Sequence, residues 1–469
     1  MLKEILRHKV FKNFSYLTIG TAISQILSLL AVLKITKILF PDDYGLYTFI
    51  LAQGALLLTI ADLGVQTIIV RSIAREPEKT NDLIINGILL RTLALIFVSG
   101  VYLVYNYFLG SLTVFELVLV FLFSLISCFG KLFEIVYIGN QKMLPPSIIN
   151  LIFGFIWFVL IFLLPESFVN ANSLILLFLG INVIKNLTFY LTLRYHKLLI
   201  GKVQNFWVSS RNLVEESWPY FALTLVMLPY RKFSNNFLDI NSTIEEVAFY
   251  NLSEKFIGPI SMILDIALIA IFPNLSALWI SNISKFKNVI SEGFKYYMLL
   301  GIILSFMFTM FAYEILGFLF PTSYMPAVIV CQLQIWFLFL SSVDSMIGTI
   351  LGATNNEKKI LKLGVINSLF STPIIFYASY YGAMGLSIAY LSTFSIFQFY
   401  IWYVFKKSVG INIKDRILMW GLAICLFIIS YFLAIHLDLV YKIILSIVII
   451  LISLKIVIKN LPFNLHNEK

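Results

Sequence analysis

Apolar blocks of about 20 residues alternate with short polar breaks along almost the whole chain, and a helix of that length crosses the hydrocarbon of a bilayer. The pattern predicts fourteen helices, over residues 14–33, 44–66, 84–106, 114–137, 146–164, 173–194, 218–238, 254–278, 295–317, 327–351, 361–381, 384–405, 416–435 and 440–459. Turn chemistry marks the breaks at Pro41-Asp42-Asp43, Glu76-Pro77, Pro145-Pro146, Pro321, Pro326 and Tyr381-Gly382. The expected fold class is an all-α integral membrane protein. One apolar stretch is unusual: Trp218–Asp239 carries Arg231 and Lys232 side by side. A cation inside a bilayer costs a few kcal/mol on insertion scales, so such a pair must snorkel, be paired or face a wet cavity. A wet cavity implies an anionic cargo.

Composition agrees with the pattern. Only 12% of residues are charged, 60% are hydrophobic, and the mean hydropathy is +0.93. The first apolar block follows a basic start and runs past the core length of a signal peptide, so it is expected to remain as a helix. The net charge of +10 is mostly topology. With the N-terminus on the cytoplasmic side, alternate loops place 25 Lys and Arg inside and 3 outside, in line with the positive-inside rule. Both termini are then cytoplasmic, and no basic-aromatic patch is left to suggest nucleic acid. Cys128, Cys331 and Cys425 lie in apolar blocks without metal or disulfide spacing and read as small buried hydrophobes.

Two echoes suggest an internal repeat. Asp42-Asp43-Tyr44-Gly45-Leu46-Tyr47 is matched by Glu245-Glu246-Val247-Ala248-Phe249-Tyr250, and Ile148-Ile149-Asn150 by Val365-Ile366-Asn367. Each pair is six spans apart, which implies two six-helix lobes of like orientation. The expected organisation is an N-terminal lobe over 1–195, a basic amphipathic linker over 196–217 lying on the inner leaflet, a C-terminal lobe over 218–405, and two further helices with a tail over 406–469.

The opening third carries Asn13, Gly20 and Ser24, then Pro41, Tyr44, Gly45 and Tyr47, a Leu63-Gly64 pair, and Arg71. A later segment carries Tyr381-Gly382-Ala383 and Gly385. In these features the chain resembles bacterial polysaccharide-biosynthesis flippases, which move O-antigen or capsule repeat units and belong to the multidrug/oligosaccharidyl-lipid/polysaccharide exporter superfamily. The resemblance implies two bundles in a V around a central cavity lined by spans 1, 2, 7 and 8. It also implies flipping of an undecaprenyl-pyrophosphate-linked oligosaccharide across the bacterial inner membrane, with a polymerase and a chain-length regulator as further partners.

For such a cargo the candidate binding residues are Arg231, Lys232, Lys185 and Arg91, with Ser24, Gln25 and Asn235 as hydrogen-bonding groups. Lys131 is expected to pair with Glu134 three residues on. Asp265 and Asp344 are the candidate ion-coupling carboxylates, for a proton or sodium gradient, and Asp62 reads as interfacial. No enzyme site, cofactor fingerprint or metal motif is found in the sequence. Three rivals remain. A multidrug or cation antiporter would want acids in the cavity, whereas intramembrane cations are in excess here. A polymerase would need a large external loop, and a lipid II flippase more arginines in span 1.

Overall fold

The structure, a computed structural model, describes residues 9–203, 206–354, 356–411 and 414–460. Side chains of 9–19, 262–277 and 450–460, among others, are outside this description, so the expected role of Asp265 falls outside the described residues. All regular structure in the described residues is helical. The first eight helices are α1 (Lys9–Ile38), α2 (Pro41–Ala61), α3 (Val65–Arg75), α4 (Thr80–Leu109), α5 (Val114–Gly139), α6 (Leu144–Leu163), α7 (Ala171–Tyr195) and α8 (Phe206–Lys232). The others are α9 (Ser234–Asn241), α10 (Ile244–Ser281), α11 (Ile283–Leu319), α12 (Ala327–Ala353), α13 (Glu357–Ala378), α14 (Gly382–Val409), α15 (Lys414–His436) and α16 (Leu439–Asn460).

Each expected span overlaps one long helix, but 44–66 also runs past α2 into α3 and 218–238 past α8 into α9, so that the short α3 and α9 are additions. Among the described residues, ten stretches are long and apolar enough to cross a membrane, one of which, Lys359–Val409, runs over both α13 and α14. The helix flanks fit a lipid surround: Phe97, Tyr107, Phe108 and Phe318 are 73–87% exposed, which water would penalise and acyl chains would not. The chain is a multi-pass membrane protein.

Both additions have local causes. Helix α2 stops because Leu63 and Gly64 adopt left-handed backbone angles, with φ of 51° and 72°. Helix α3 then buries Val65, Ile68, Ile69 and Ile73 and leaves Arg71 and Arg75 on its other side, an amphipathic pattern. Helix α8 starts earlier than expected. Residues 206–217, expected to lie along the membrane as part of a separate linker, form the first turns of a helix that continues to Lys232. No Gly or Pro interrupts 206–218, and Ser209 and Glu216 tie these turns to Asp82 of α4 and Arg71 of α3.

Packing divides the chain into two compact units, Met1–Met262 with Leu361–Ala389, and Ile263–Ile360 with Tyr390–Lys469. The division cuts across the expected repeats, since α10 and α14 each contribute to both units.

In the first unit, Leu58, Ile69, Ile84, Leu132, Val136, Ile149 and Leu193 form a core from α2 through α7. Helices α1 and α6 cross on small residues, where a Cβ on Gly20 would lie 3.1 Å from that of Ser147. At the far end, Lys34 donates to Glu166 at 2.8 Å and holds that carboxyl below its usual range. In the second unit, Trp336 Nε1 donates to Thr309 Oγ1 at 2.9 Å. Lys442, one of the three outer-loop cations of the charge count, is only 2% exposed and donates to Glu314 at 2.5 Å, so its burial is compensated. Cys128 and Cys331 are buried as expected, but Cys425 is exposed.

Candidate anion-binding site

The end of α2 sets one wall of the site. Gly64 approaches α8 so closely that a Cβ there would meet Ser217 O, Phe221 N and Tyr220 Cβ, each at 3.0 Å. That turn leaves Asp62 facing α4, where Arg91 Nη2 lies 3.0 Å from Asp62 Oδ1. Arg91 is 1% exposed, and its Nε and Nη1 have no hydrogen-bond partner. Arg91, expected to snorkel or to line a cavity, is instead a buried ion-pair partner, and Asp62, read as interfacial, is its counter-charge. The pairing has a plain cause: a guanidinium in this packed position needs a carboxylate beside it.

Four lysines of the first unit have no ion-pair partner, and one of them, Lys131, lies within electrostatic reach of this pair. Lys131 of α5 is exposed and lies within electrostatic reach of Arg91, Asp62, Glu134 and Lys232. The expected Lys131–Glu134 ion pair does not form, because Glu134 Oε1 instead accepts from Asn150 Nδ2 of α6 at 2.9 Å. Lys185 of α7 is half-buried and senses Glu134. Lys232 closes α8, and Glu254 of α10 senses both Lys232 and Lys255. Among the described residues, Lys131, Lys185, Lys232 and Lys255 make no hydrogen bond or ion pair within 4 Å through their side chains. With Asp62 taken by Arg91, these four cations face two carboxylates, Glu134 and Glu254. An excess of unpaired cations among membrane helices marks a candidate site for an anion.

The two adjacent cations of α8 separate here. Successive residues on a helix point about 100° apart. Both side chains are exposed, and Lys232 lies within electrostatic reach of Lys131 and Glu254. Glu254 and the unpaired state of Lys131 were not foreseen in the sequence.

The three hydrogen-bonding candidates share one property. Ser24 Oγ lies against α6, 3.5 Å from the place a Cβ would take on Gly154, and like Gln25 Oε1 and Asn235 Oδ1 it is buried without a partner. The neighbour of Asn235, Asn236, exchanges two hydrogen bonds with Gln53 of α2, at 3.2 and 3.0 Å. Asp344 is half-buried in the second unit and is already engaged with a neighbour. Among the described residues, no group of three His, Cys, Asp or Glu is placed to hold a metal ion.

The sequence model of the family described as "Polysaccharide biosynthesis protein" matches residues 10–279, more than half of the chain. The chain belongs to the polysaccharide biosynthesis protein family. A curated relative, the capsular polysaccharide biosynthesis protein CapF of Staphylococcus aureus, is 25% identical over 247 residues. That alignment covers 52% of this chain and 58% of CapF, less than two thirds of the relative's length. Among solved structures, the lipid II flippase MurJ in an inward closed conformation superposes with a TM-score of 0.75 at 18% identity, covering 95% of this chain and 99% of that one. An inward-facing multidrug resistance MATE family transporter of the MOP superfamily gives a TM-score of 0.61 at 15% identity, covering 82% and 96%. This member of the polysaccharide biosynthesis protein family therefore shares its fold with a flippase and a multidrug transporter.

Several of the residues that first pointed to polysaccharide-biosynthesis flippases now have physical roles. Gly45 meets the start of α10, where a Cβ would run into the carbonyl of Ile244. Gly64 makes the left-handed turn against α8. Gly382 also has a positive φ, of 68°, and lies at the carboxylate of Glu246, which accepts from Ala383 N at 2.7 Å and so caps α14. In this member of the polysaccharide biosynthesis protein family, these three glycines mark close approaches between helices far apart in sequence.

Proposed function

We propose that this chain is a flippase that carries an undecaprenyl-pyrophosphate-linked oligosaccharide repeat unit from the cytoplasmic to the outer leaflet of the bacterial inner membrane, for capsule or O-antigen assembly. The observation that carries the reading is the excess of unpaired lysines among these helices, Lys131, Lys185, Lys232 and Lys255, with only Glu134 and Glu254 left unpaired near them. A pyrophosphate supplies the charge those lysines lack, as point-charge partners for its oxygens. Gln25 and Asn235, each with an unsatisfied carbonyl, offer acceptors to sugar hydroxyls. Family membership and the capsular relative support polymer export over drug transport. The cationic excess argues the same way, because a cationic drug would meet repulsion.

Both termini lie in the cytoplasm on this reading, which follows the loop charges. Asp265 and Asp344 are the residues to test for proton or sodium coupling, and Arg231 is an outer neighbour of the site. A polymerase and a chain-length regulator would take the product onward. The MurJ likeness favours a second reading, lipid II as cargo, because it too presents a pyrophosphate.

The deciding experiment is reconstitution in vesicles with two fluorescent cargoes, an undecaprenyl-pyrophosphate oligosaccharide and lipid II. Flipping of the oligosaccharide, lost in Lys131→Ala with Lys232→Ala, is the expected result. Flipping of lipid II alone would transfer the site to the second reading, and flipping unaffected by the lysine changes would refute it.

A further inference from the structure

A crevice of about 310 Å³ runs between α5 and α7, walled by Ile126, Phe129 and Phe133 on one side and Val183, Leu187 and Tyr190 on the other. Its one polar lining residue, Asn186, is satisfied, since Nδ2 donates to Ile126 O at 2.6 Å. At one end, the Arg194 guanidinium lies 5.4 Å from the centre of the Tyr190 ring. Stacking of this kind fixes a guanidinium while leaving its N–H edge free. Arg194 is exposed and has no ion pair among the described residues. Lys197 and Lys142, both exposed, follow the same ends of α7 and α5.

The crevice faces away from the anion site. At about 100° per residue, Lys131 lies roughly 160° around α5 from both Phe129 and Phe133. Lys185 lies about 160° around α7 from Val183 and Leu187. A cargo whose pyrophosphate occupied the lysine cluster could not place its head at Arg194 as well. We infer that the α5–α7 crevice is a binding site for an anionic phospholipid of the bilayer, with an acyl chain along the apolar walls and the phosphate at Arg194. Basic residues at a membrane boundary draw anionic lipid, and the apolar groove adds a place for its chain. The site is separate from the transport site and does not depend on which oligosaccharide is carried.

The test is native mass spectrometry of the full chain purified in mixed phosphatidylglycerol and phosphatidylcholine. The wild type is expected to retain phosphatidylglycerol in preference to phosphatidylcholine. Arg194→Gln is expected to lower phosphatidylglycerol retention roughly fivefold and to leave phosphatidylcholine retention unchanged. Leu187→Trp, which fills the crevice, is expected to lower it too. Thermal unfolding in pure phosphatidylcholine, equal among the three proteins, controls for misfolding, and Arg194→Lys gives a second substitution that retains the charge. Equal retention of the two lipids by the wild type, or undiminished phosphatidylglycerol on Arg194→Gln, would overturn the inference. Displacement of phosphatidylglycerol by undecaprenyl phosphate, one for one, would overturn it as well and assign the crevice to the cargo tail.

Discussion

Asn251 donates from Nδ2 to Thr48 Oγ1 at 3.0 Å across 203 positions, the same offset that separates Tyr47 from Tyr250 in the two copies of the sequence echo. Equivalent positions of the repeat therefore touch. The Gln53–Asn236 amide pair and the Gly45–Ile244 approach join α2 to α9 and α10 in the same region, and all four polar residues are buried. These contacts hold α2 against the helices that follow Lys232. If they must part during transport, Thr48→Cys with Asn251→Cys will stop export once oxidised, and a reductant will restore it. Surface polysaccharide measured before and after reduction reports the effect, with loss of maleimide labelling as proof of the cross-link. Normal export by the cross-linked protein would show that this contact stays closed throughout the cycle.

Lys232 and Arg231 should differ despite being neighbours. Lys232→Ala is expected to cut export about tenfold, the effect of losing about 1.4 kcal/mol of anion binding. Arg231→Ala should cost much less, because that side chain is outside the interactions joining Lys131, Lys232 and Glu254. Polymer output in a strain lacking its own flippase, normalised to protein in the membrane, checks the order.

The Arg91–Asp62 pair should behave as structure and not as a cargo contact. Removing one partner of a buried pair costs on the order of 3 kcal/mol, because the other charge remains. Arg91→Met is therefore expected to lower the unfolding midpoint sharply in detergent, and Arg91→Met with Asp62→Leu to recover most of the loss. A midpoint unmoved by Arg91→Met, with export abolished, would make Arg91 a cargo ligand after all.

Gly64→Ala combines two penalties. A left-handed angle costs an L-residue about 1–2 kcal/mol, and the added methyl would sit 3.0 Å from the backbone of α8. Lower abundance and earlier unfolding are expected. Gly100→Ala is the control, since nothing lies within 4 Å of its Cβ position. Equal stability of the two variants would contradict the close approach of α2 to α8.

Much of this architecture was legible in residue order. Hydrophobic block length set the helices, and the Leu63-Gly64 pair was visible as a motif although its role as a helix break was not. Orientation about a helix axis was far less legible. Nothing in the sequence near Lys131 says that Glu134 turns to Asn150, because Asn150 belongs to a different helix. The same holds for Arg91, whose partner Asp62 comes from the end of α2, and for Glu254, which gains its place from Lys232 across the fold. Local chemistry identifies which charges are costly, and only packing shows which are compensated.

Helix α8 ends on Lys232, with Phe233 alone before α9 begins. The carbonyl end of a helix carries roughly half a negative charge. On the proposed function, Lys232 meets that partial negative charge, offset in part by the amino end of α9, before any phosphate arrives, and its hold is weakened to that extent. For a carrier this is useful: a site that bound its anion with the full strength of bare lysines would fill once and stay full.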